Sequence, residues 1–190
     1  MKKIIILVAL AVTTLNAFSQ NQGYEKWIDA GIGLDTNHSE GYYALKFTNG
    51  YRFNDYIFLG GGLGVSLYTY SDELMRIENN KGGYSEIATQ SSFAMPAYIT
   101  FKSYFTKKKI APFFTLNTGY TFGASDSNSI ITSGLFFNPN IGIDFNLNND
   151  RSKSIFLQLG LNIEQNKNML TWDLSDGARN KVQLNVGFRF

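Results

Sequence analysis

The sequence has 190 residues with 17 Lys and Arg, 15 Asp and Glu and no Cys, which gives a formal net charge of +2 at pH 7. The absence of Cys excludes a disulfide framework, a Cys-based metal site and a Cys nucleophile. The small net charge gives no indication of nucleic-acid binding, and the length suits one domain behind a short leader.

The first residues have the pattern of a secretory signal peptide. A short basic start precedes an unbroken apolar run over 4–12, and small polar residues follow it. This run falls well short of the roughly 20 apolar residues of a transmembrane helix, so a cleaved leader is favoured over a membrane anchor. Cleavage is predicted between Ser19 and Gln20, which gives a signal peptide over 1–19 and one domain over 20–190.

Eight later segments alternate apolar and polar residues with a period of two, which indicates β-strands. One face of each segment is apolar and free of charge, whereas the other is rich in Gly, Asn, Thr and Ser. In chain order the apolar faces span 28–34, 43–53, 57–67, 93–105, 110–122, 135–147, 155–163 and 182–190.

The last of these segments has the strictest alternation. Its apolar face includes Val186, Phe188 and Phe190, and its polar face includes Asn185 and Arg189. Its length suits a tilted strand that crosses a bilayer. An alternating strand that ends on Phe resembles the last strand of bacterial outer-membrane β-barrels. The resemblance implies that Val186, Phe188 and Phe190 form a signal read by the barrel-assembly machinery during biogenesis.

The connections between segments alternate in length. Short turns are predicted at 54–55, 106–109 and 148–153. The other connections are mostly longer and span 35–41, 71–91, 124–132 and 165–180. Short periplasmic turns and longer extracellular loops are typical of outer-membrane barrels, and an even strand number predicts that both termini are periplasmic. The domain resembles the small OmpA/OmpX-type barrels, so the predicted fold is an all-β, closed, eight-stranded, antiparallel, up-and-down transmembrane barrel.

Alternation by itself leaves open which face points inward, because a soluble barrel of the lipocalin type would place its apolar face inside. A charge at a lipid-facing midplane position costs roughly 2–4 kcal/mol, which explains an apolar face without charges. The signal peptide and the last strand therefore favour apolar residues toward lipid. The charges predicted to form an interior network are Asp29, Lys46, Arg52, Lys102, Asp144, Glu164 and Arg189.

Side chains can just fill the interior of an eight-stranded barrel. A charged plug is expected in the periplasmic half, with Asp144 as its most constrained acid, because buried charges must be paired or hydrated. Such a barrel is not expected to conduct ions steadily. The large residues predicted to point inward are Phe58, Tyr98, Phe113, Phe136 and Phe156.

Glycine and proline bear on the regularity of the strands. The glycine run at 60–64 lacks the Gly-Lys-Ser/Thr of a phosphate loop. It is predicted to allow curvature or to make room for inward neighbours such as Phe58 and Tyr68. Pro96 and Pro139 each remove a ladder hydrogen bond, so a bulge or a local distortion is expected at each.

A lipid-modifying enzyme is the alternative with the most specific residues. Outer-membrane palmitoyltransferases are eight-stranded and place His, Asp and Ser on extracellular loops, so a resemblance to them would assign these parts to His38, Ser71 and Asp72. No amphipathic helix precedes the first strand, and the His and Ser pair of lipid A deacylases is missing. The sequence therefore predicts no catalytic residue, no cofactor and no metal site. A narrow pore is a further alternative.

The leading hypothesis is a non-enzymatic outer-membrane β-barrel protein with an envelope-structural or surface-contact role. Its expected partners are outer-membrane lipids, the barrel-assembly machinery and an extracellular partner reached through the loops at 71–91 and 165–180. The second of these loops holds Trp172, although two strands extended as a hairpin are slightly favoured there. The basic run at 107–109 indicates a turn, which could also meet acidic lipid headgroups.

Overall fold

The protein is an all-β barrel of eight antiparallel strands, here as a computed structural model. The structure describes residues 23–35, 40–73, 87–123, 134–148, 151–164 and 179–190. The strands are β1 (Gly23–Asp35), β2 (Glu40–Arg52), β3 (Ile57–Glu73), β4 (Ile87–Tyr104), β5 (Ile110–Gly123), β6 (Gly134–Asn146), β7 (Ser154–Glu164) and β8 (Arg179–Arg189). Each strand pairs with the next in chain order and β8 pairs with β1. The predicted fold class is therefore confirmed.

Connections between consecutive antiparallel strands fall alternately at the two ends of the barrel. We call one end the turn end, because it carries the connections at 53–56, 105–109 and 147–153 together with Gly23 and Phe190. The opposite end is the loop end. Its four connections, at 36–39, 74–86, 124–133 and 165–178, lie outside the described residues.

Asparagine side chains close two of the turns. Asn54 accepts hydrogen bonds at its side-chain oxygen from the backbone N–H groups of Tyr56 (2.8 Å) and Ile57 (2.9 Å). Asn148 accepts a hydrogen bond from the backbone N–H of Lys153 (3.0 Å) in the same way. Such side-chain acceptors replace backbone partners and thereby favour a turn over continuation of the strand.

Apolar side chains cover the outside of the barrel. Midway along the strands, Leu63, Ile99, Ile141 and Leu159 are between 50% and 66% exposed. The side chains between them in sequence point inward and are mostly buried. A soluble barrel of the lipocalin type would have the opposite arrangement, so the outer surface is that of a barrel surrounded by lipid. The described residues contain no helix long and apolar enough to span a bilayer.

Proline interrupts two ladders without shifting their register. Between β3 and β4, pairing stops at the row of Pro96 and at the next row, that of Met95, and then resumes in the same register. The β6–β7 ladder is interrupted in the same way at Pro139. Pro112 keeps its position opposite Ile143. The expected distortion is therefore a local break, and no described strand pair contains a bulge residue.

The glycine run in β3 lies under aromatic rings. A Cβ atom added to Gly60 would lie 2.7 Å from Cζ of Phe58, which is far closer than a carbon contact allows. At Gly62 the added atom would overlap the ring of Tyr98. The glycines thus make room for inward aromatic residues, as predicted. The ring over Gly62 belongs to Tyr98, however, whereas Tyr68 was the second inward neighbour expected from the sequence.

The β3–β4 pair is longer than the sequence predicts. The two strands have 17 and 18 residues, and their pairing continues to Glu73 opposite Ile87. The pairing between β2 and β3 ends three residues earlier, at Tyr70. The predicted loop at 71–91 is therefore partly a strand pair that extends beyond β2.

Candidate functional site

The inward side chains stack in layers between the turn end and the loop end. Ionic residues lie nearest the turn end, apolar rings lie next to them, and uncharged amides fill the middle. We call the first group the charge cluster, and it consists of Glu25, Arg52, Lys102, Tyr104, Asp144 and Arg189.

Arg189 of β8 joins the charge cluster to three other parts of the chain. Its Nη1 donates hydrogen bonds to the hydroxyl of Tyr104 (2.7 Å) and to Oδ2 of Asp144 (3.1 Å). Its Nη2 donates to Oδ1 of Asn146 (2.7 Å) and to the backbone carbonyl of Arg151 (2.7 Å). The rigid guanidinium plane fixes these directions together, so Arg189 links β8 to β4, β6 and the turn at 147–153.

Asp144 is the acid at the centre of the charge cluster. Its Oδ2 accepts hydrogen bonds from Arg189 and from the hydroxyl of Tyr104 (3.0 Å), and Nζ of Lys102 lies 3.7 Å away. The Asp144 carboxylate and the side chains of Lys102 and Arg189 are almost completely buried. A buried carboxylate needs such partners because desolvation disfavours its charge strongly.

Glu25 and Arg52 form the second ion pair of the charge cluster. Nε of Arg52 lies 2.5 Å from Oε1 of Glu25, and Nη2 donates to Oε2 at 3.1 Å. Nη1 of Arg189 lies 3.8 Å from the same Glu25 carboxylate. This two-pronged contact ties β1 to β2 near the turn end and lies beside the Asp144 group.

Four apolar rings form the next layer, which we call the aromatic layer: Trp27, Phe58, Phe113 and Phe156. Nζ of Lys102 points into it, 3.8 Å from the ring centre of Phe113 and 4.5 Å from that of Phe156. Attraction between a cation and aromatic faces replaces part of the hydration that the Lys102 ammonium group loses.

Glycine on neighbouring strands makes room for two of these rings. A Cβ atom on Gly142 would lie 2.5 Å from Cζ of Phe113. A Cβ atom on Gly187 would overlap the ring of Phe156. The aromatic layer therefore occupies space that side chains of β6 and β8 leave free, and it fills the barrel beneath the charge cluster.

Uncharged side chains close the middle of the barrel. Asn138 accepts at Oδ1 hydrogen bonds from Nδ2 of Asn117 (3.2 Å) and Nε2 of Gln183 (2.9 Å). Gln183 also donates to Oδ1 of Asn140 (3.0 Å), and the hydroxyl of Thr100 donates to Asn117. A cavity of about 10 Å³ borders this group, which is room for about one water molecule.

One ion pair lies near the loop end. Nζ of Lys181 is 2.9 Å from Oε2 of Glu164. Oε1 of Glu164 accepts hydrogen bonds from the hydroxyl of Tyr68 (2.7 Å) and from Nδ2 of Asn162 (2.7 Å). The Lys181 ammonium group also lies 4.0 Å from the ring centre of Tyr68. We call Lys181 and Glu164 the loop-end pair.

The seven predicted interior charges lie at three places along the barrel interior. Arg52, Lys102, Asp144 and Arg189 lie in the charge cluster at the turn end. Asp29 and Lys46 lie opposite each other on β1 and β2, farther from that end, and both are buried. Glu164 belongs to the loop-end pair. Asp29 and Lys102 line the same small cavity, so the Asp29 and Lys46 group adjoins the charge cluster.

Sequence reasoning did not name several charged residues that are buried in the interior and its turns. Glu25 and Lys181 lie on the inward faces of β1 and β8, so the alternation of each segment, continued toward the N-terminal end of its strand, would have found them. Arg151 lies in a turn, where no periodicity assigns a direction. Its buried side chain approaches Asp55 of another turn, with Nη1 3.6 Å from Oδ1.

The residues named for barrel assembly point outward. Val186, Phe188 and Phe190 are exposed on β8 and at its end. The rings of Phe188 and Phe190 are stacked with centroids 6.0 Å apart. They therefore belong to the apolar outer surface near the turn end.

Several predicted features lie outside the described residues. The cleavage site at Ser19 and Gln20, the Trp172 loop and His38 are among them. The structure describes only the backbone of Ser71 and Asp72, as part of β3. Among the residues that the structure describes, no group of three or more His, Asp and Glu is arranged to hold a metal ion.

Comparison with known proteins identifies the fold. No family model and no curated protein matches the sequence. The outer membrane protein OprG from Pseudomonas aeruginosa is similar in structure, with a TM-score of 0.51 at 12% identity over 90% of this chain and 98% of OprG. The fold is thus that of the small eight-stranded outer-membrane β-barrels.

Two further solved structures align over most of this chain. The N-terminal β-barrel domain of OprF from Pseudomonas aeruginosa has a TM-score of 0.45 at 13% identity, over 87% of this chain and 97% of that domain. The outer membrane enzyme PagL has a TM-score of 0.46 at 13% identity, over 86% of this chain and 98% of PagL.

Proposed function

We propose that this protein is a non-enzymatic barrel of the bacterial outer membrane that contributes to envelope structure or to surface contacts. The observation that carries the proposal is an interior filled with buried side chains beneath an apolar outer surface. A filled interior offers no passage for solutes, and an apolar exterior is stable only in lipid. What such a barrel presents to other molecules is then its rims and loops.

We further infer that the turn end faces the periplasm and the loop end faces the outside. Short turns on the periplasmic side and longer loops on the outer side are the usual arrangement in these barrels. Both described ends of the chain, Gly23 and Phe190, lie at the turn end, so both would be periplasmic. Extracellular partners would then meet the loops at 71–91 and 165–180, outer-membrane lipids would surround the strands, and the barrel-assembly machinery would act during biogenesis.

A mass profile of lipid A tests the non-enzymatic part of the proposal. Lipid A from cells that produce the protein should equal lipid A from cells that lack it. The control is the same comparison with the His38→Ala variant, which removes the histidine of the alternative hypothesis. If the wild type alters acylation and the variant does not, the protein is an enzyme and the proposal is wrong.

A charge on the outer surface tests contact with lipid. Leu159 is 50% exposed and lies midway along β7, so Leu159→Arg should lower the free energy of unfolding in lipid vesicles by about 2–4 kcal/mol. Tyr24→Arg is the matched control, because Tyr24 lies at the turn end, where the cost falls to about 0–1 kcal/mol. Equal effects of both substitutions would contradict a lipid-facing midplane at Leu159.

Assembly in cells tests the role proposed for β8. Phe190→Ala should lower the yield of folded barrel, measured as the heat-modifiable band in outer-membrane fractions, while export across the inner membrane is unchanged. Phe122→Ala is a control with another exposed Phe on the outer surface. A reduction of the same size in both variants would argue against a signal specific to the last strand.

A further inference from the structure

Arg151 has an unusual backbone conformation within the turn at 147–153. Its φ is +58°, in the left-handed region that Gly and Asn adopt far more readily than Arg. The backbone carbonyl of Arg151 accepts the hydrogen bond from Nη2 of Arg189, and the side chain is only 8% exposed. The turn therefore holds a buried guanidinium group at the turn end in spite of a conformational cost.

The guanidinium group of Arg151 is poorly satisfied. Nε, Nη1 and Nη2 are all buried, and none has a hydrogen-bond partner in the described part of the chain. Nη1 lies 3.6 Å from the Asp55 carboxylate, which is too long for a hydrogen bond. Buried polar groups are nearly always hydrogen-bonded, so these three nitrogens indicate that an acceptor from another molecule belongs beside them.

Arg151 lies near the ring of Tyr104 together with three other cations. The guanidinium carbons of Arg52, Arg151 and Arg189 lie 4.5, 5.6 and 5.9 Å from the ring centre of Tyr104. Nζ of Lys102 lies 4.9 Å from it. Burial and the neighbouring Arg52 guanidinium lower the pKa of Arg151, but Arg stays protonated in proteins. The turn end thus concentrates positive charge.

The ion pairs of the described residues at this end join more cations than carboxylates. In the described residues, five cations meet three carboxylates through ion pairs within 4 Å. The cations are Arg52, Lys102, Lys107, Arg151 and Arg189, and the acids are Glu25, Asp55 and Asp144. Nζ of Lys107 lies 2.7 Å from Oδ2 of Asp55, and its half-exposed side chain connects the buried Arg151–Asp55 contact to solvent.

We propose that Arg151 and Lys107 form a binding site for an oxyanion of the phosphate class. The guanidinium fork presents donors to two oxygens, and the ammonium group adds a mobile point charge at the mouth of the site. Bound there, the anion supplies acceptors to the unpartnered nitrogens. Free phosphate and the headgroup of an anionic lipid carry the same chemistry, and the turn end lies where the barrel leaves the lipid.

Binding of inorganic phosphate to the purified protein is the first test. The protein is kept in an uncharged maltoside detergent at about 0.15 M salt, where exposed charges are largely screened, and binding is followed by titration calorimetry. The wild type should bind phosphate saturably, and Arg151→Gln should raise the Kd by about tenfold or more, as expected when a hydrogen bond to a charged group is lost. Lys153→Gln is the control, with the same charge change at an exposed position of the same turn.

Lipid provides the second arm of the experiment. Phosphatidylglycerol or phosphatidylcholine is mixed into the micelles, and the thermal unfolding midpoint is measured at equal lipid fractions. A midpoint raised by phosphatidylglycerol alone, and lost in Arg151→Gln, identifies a lipid headgroup as the source of the anion. Phosphate binding without a lipid effect identifies the free ion. The proposal is overturned if the protein does not bind phosphate and its unfolding midpoint is the same with both lipids. It is also overturned if binding does not depend on Arg151.

Two variants keep the test valid if Arg151→Gln fails to fold. Lys107→Gln changes a half-exposed side chain and should weaken phosphate binding by about tenfold. Asp55→Asn removes the carboxylate that repels an incoming anion, so it should bind phosphate more tightly than the wild type. An unchanged Kd in both variants would overturn the proposal.

Discussion

The two ends of the barrel interior are closed by different means. At the turn end the charge cluster joins five strands and lies on the aromatic layer. Near the loop end, the loop-end pair joins neighbouring strands β7 and β8, and the hydroxyl of Tyr68 reaches it from β3. Buried apolar residues there include Tyr42 and Tyr68 with two alanines.

This difference shows where removal of one side chain disturbs the most partners. Asp144 is fully buried and faces two buried cations and a tyrosine hydroxyl. The Glu164 side chain is 17% exposed, so water can replace part of what it contributes. We therefore expect substitutions at the turn end to lower the stability of the barrel more than comparable substitutions near the loop end.

Asp144→Ala should have the largest effect. It leaves the Lys102 and Arg189 charges buried without their shared carboxylate, and loss of one partner of a buried pair costs about 3–5 kcal/mol. The measurement is the free energy of unfolding of the refolded barrel in lipid vesicles. Asp144→Asn is the control for shape, and it should also be strongly destabilised because it too removes the charge. A loss below about 1 kcal/mol in both variants would contradict a paired buried cluster.

Glu164→Gln should have a smaller effect. The Lys181 ammonium group keeps the face of Tyr68, and the glutamine retains an oxygen that accepts the hydrogen bonds from Tyr68 and Asn162. We expect a loss of about 1.5–3 kcal/mol, the value of hydrogen bonds to charged groups. Unfolding under the same conditions gives a direct comparison with Asp144→Asn. A larger loss for Glu164→Gln would reverse the proposed order of the two ends.

Gly187→Ala should have the smallest effect of the three. The added methyl group meets the ring of Phe156, and overfilling of this kind costs about 1–3 kcal/mol. The double variant Gly187→Ala with Phe156→Leu should lose less stability than the sum of the single variants, because the smaller side chain relieves the overlap. Additive losses would show that Gly187 does not make room for this ring.

The outer surface of the fold could be predicted from the sequence. Lipid accepts only apolar side chains, so residues such as Leu159 and Val186 repeat at every second position and identify both the strands and their outward face. The short turns follow from the same pattern, because alternation stops at residues such as Asn54. A strict physical constraint on one face is what made this part predictable.

The interior was predicted only in part. Alternation shows that Arg52 and Asp144 point inward, but it does not give their height in the barrel or their partners, which depend on the register and tilt of eight strands. Tyr104 lies beside four cations and was not named, because alternation does not show which inward aromatic residue meets charged neighbours. Arg151 enters from a turn, where sequence periodicity gives no direction.

Planar-bilayer recording tests most directly whether side chains close the barrel. The purified wild-type protein should show no steady conductance, because the charge cluster, the aromatic layer and the amide group around Asn138 fill the cross-section in succession. Phe113→Ala together with Phe156→Ala is the informative comparison, since it removes two of the four rings of the aromatic layer while keeping the charges. Stable and reproducible open channels in the wild type would contradict the account and show a water-filled pore in place of a closed interior.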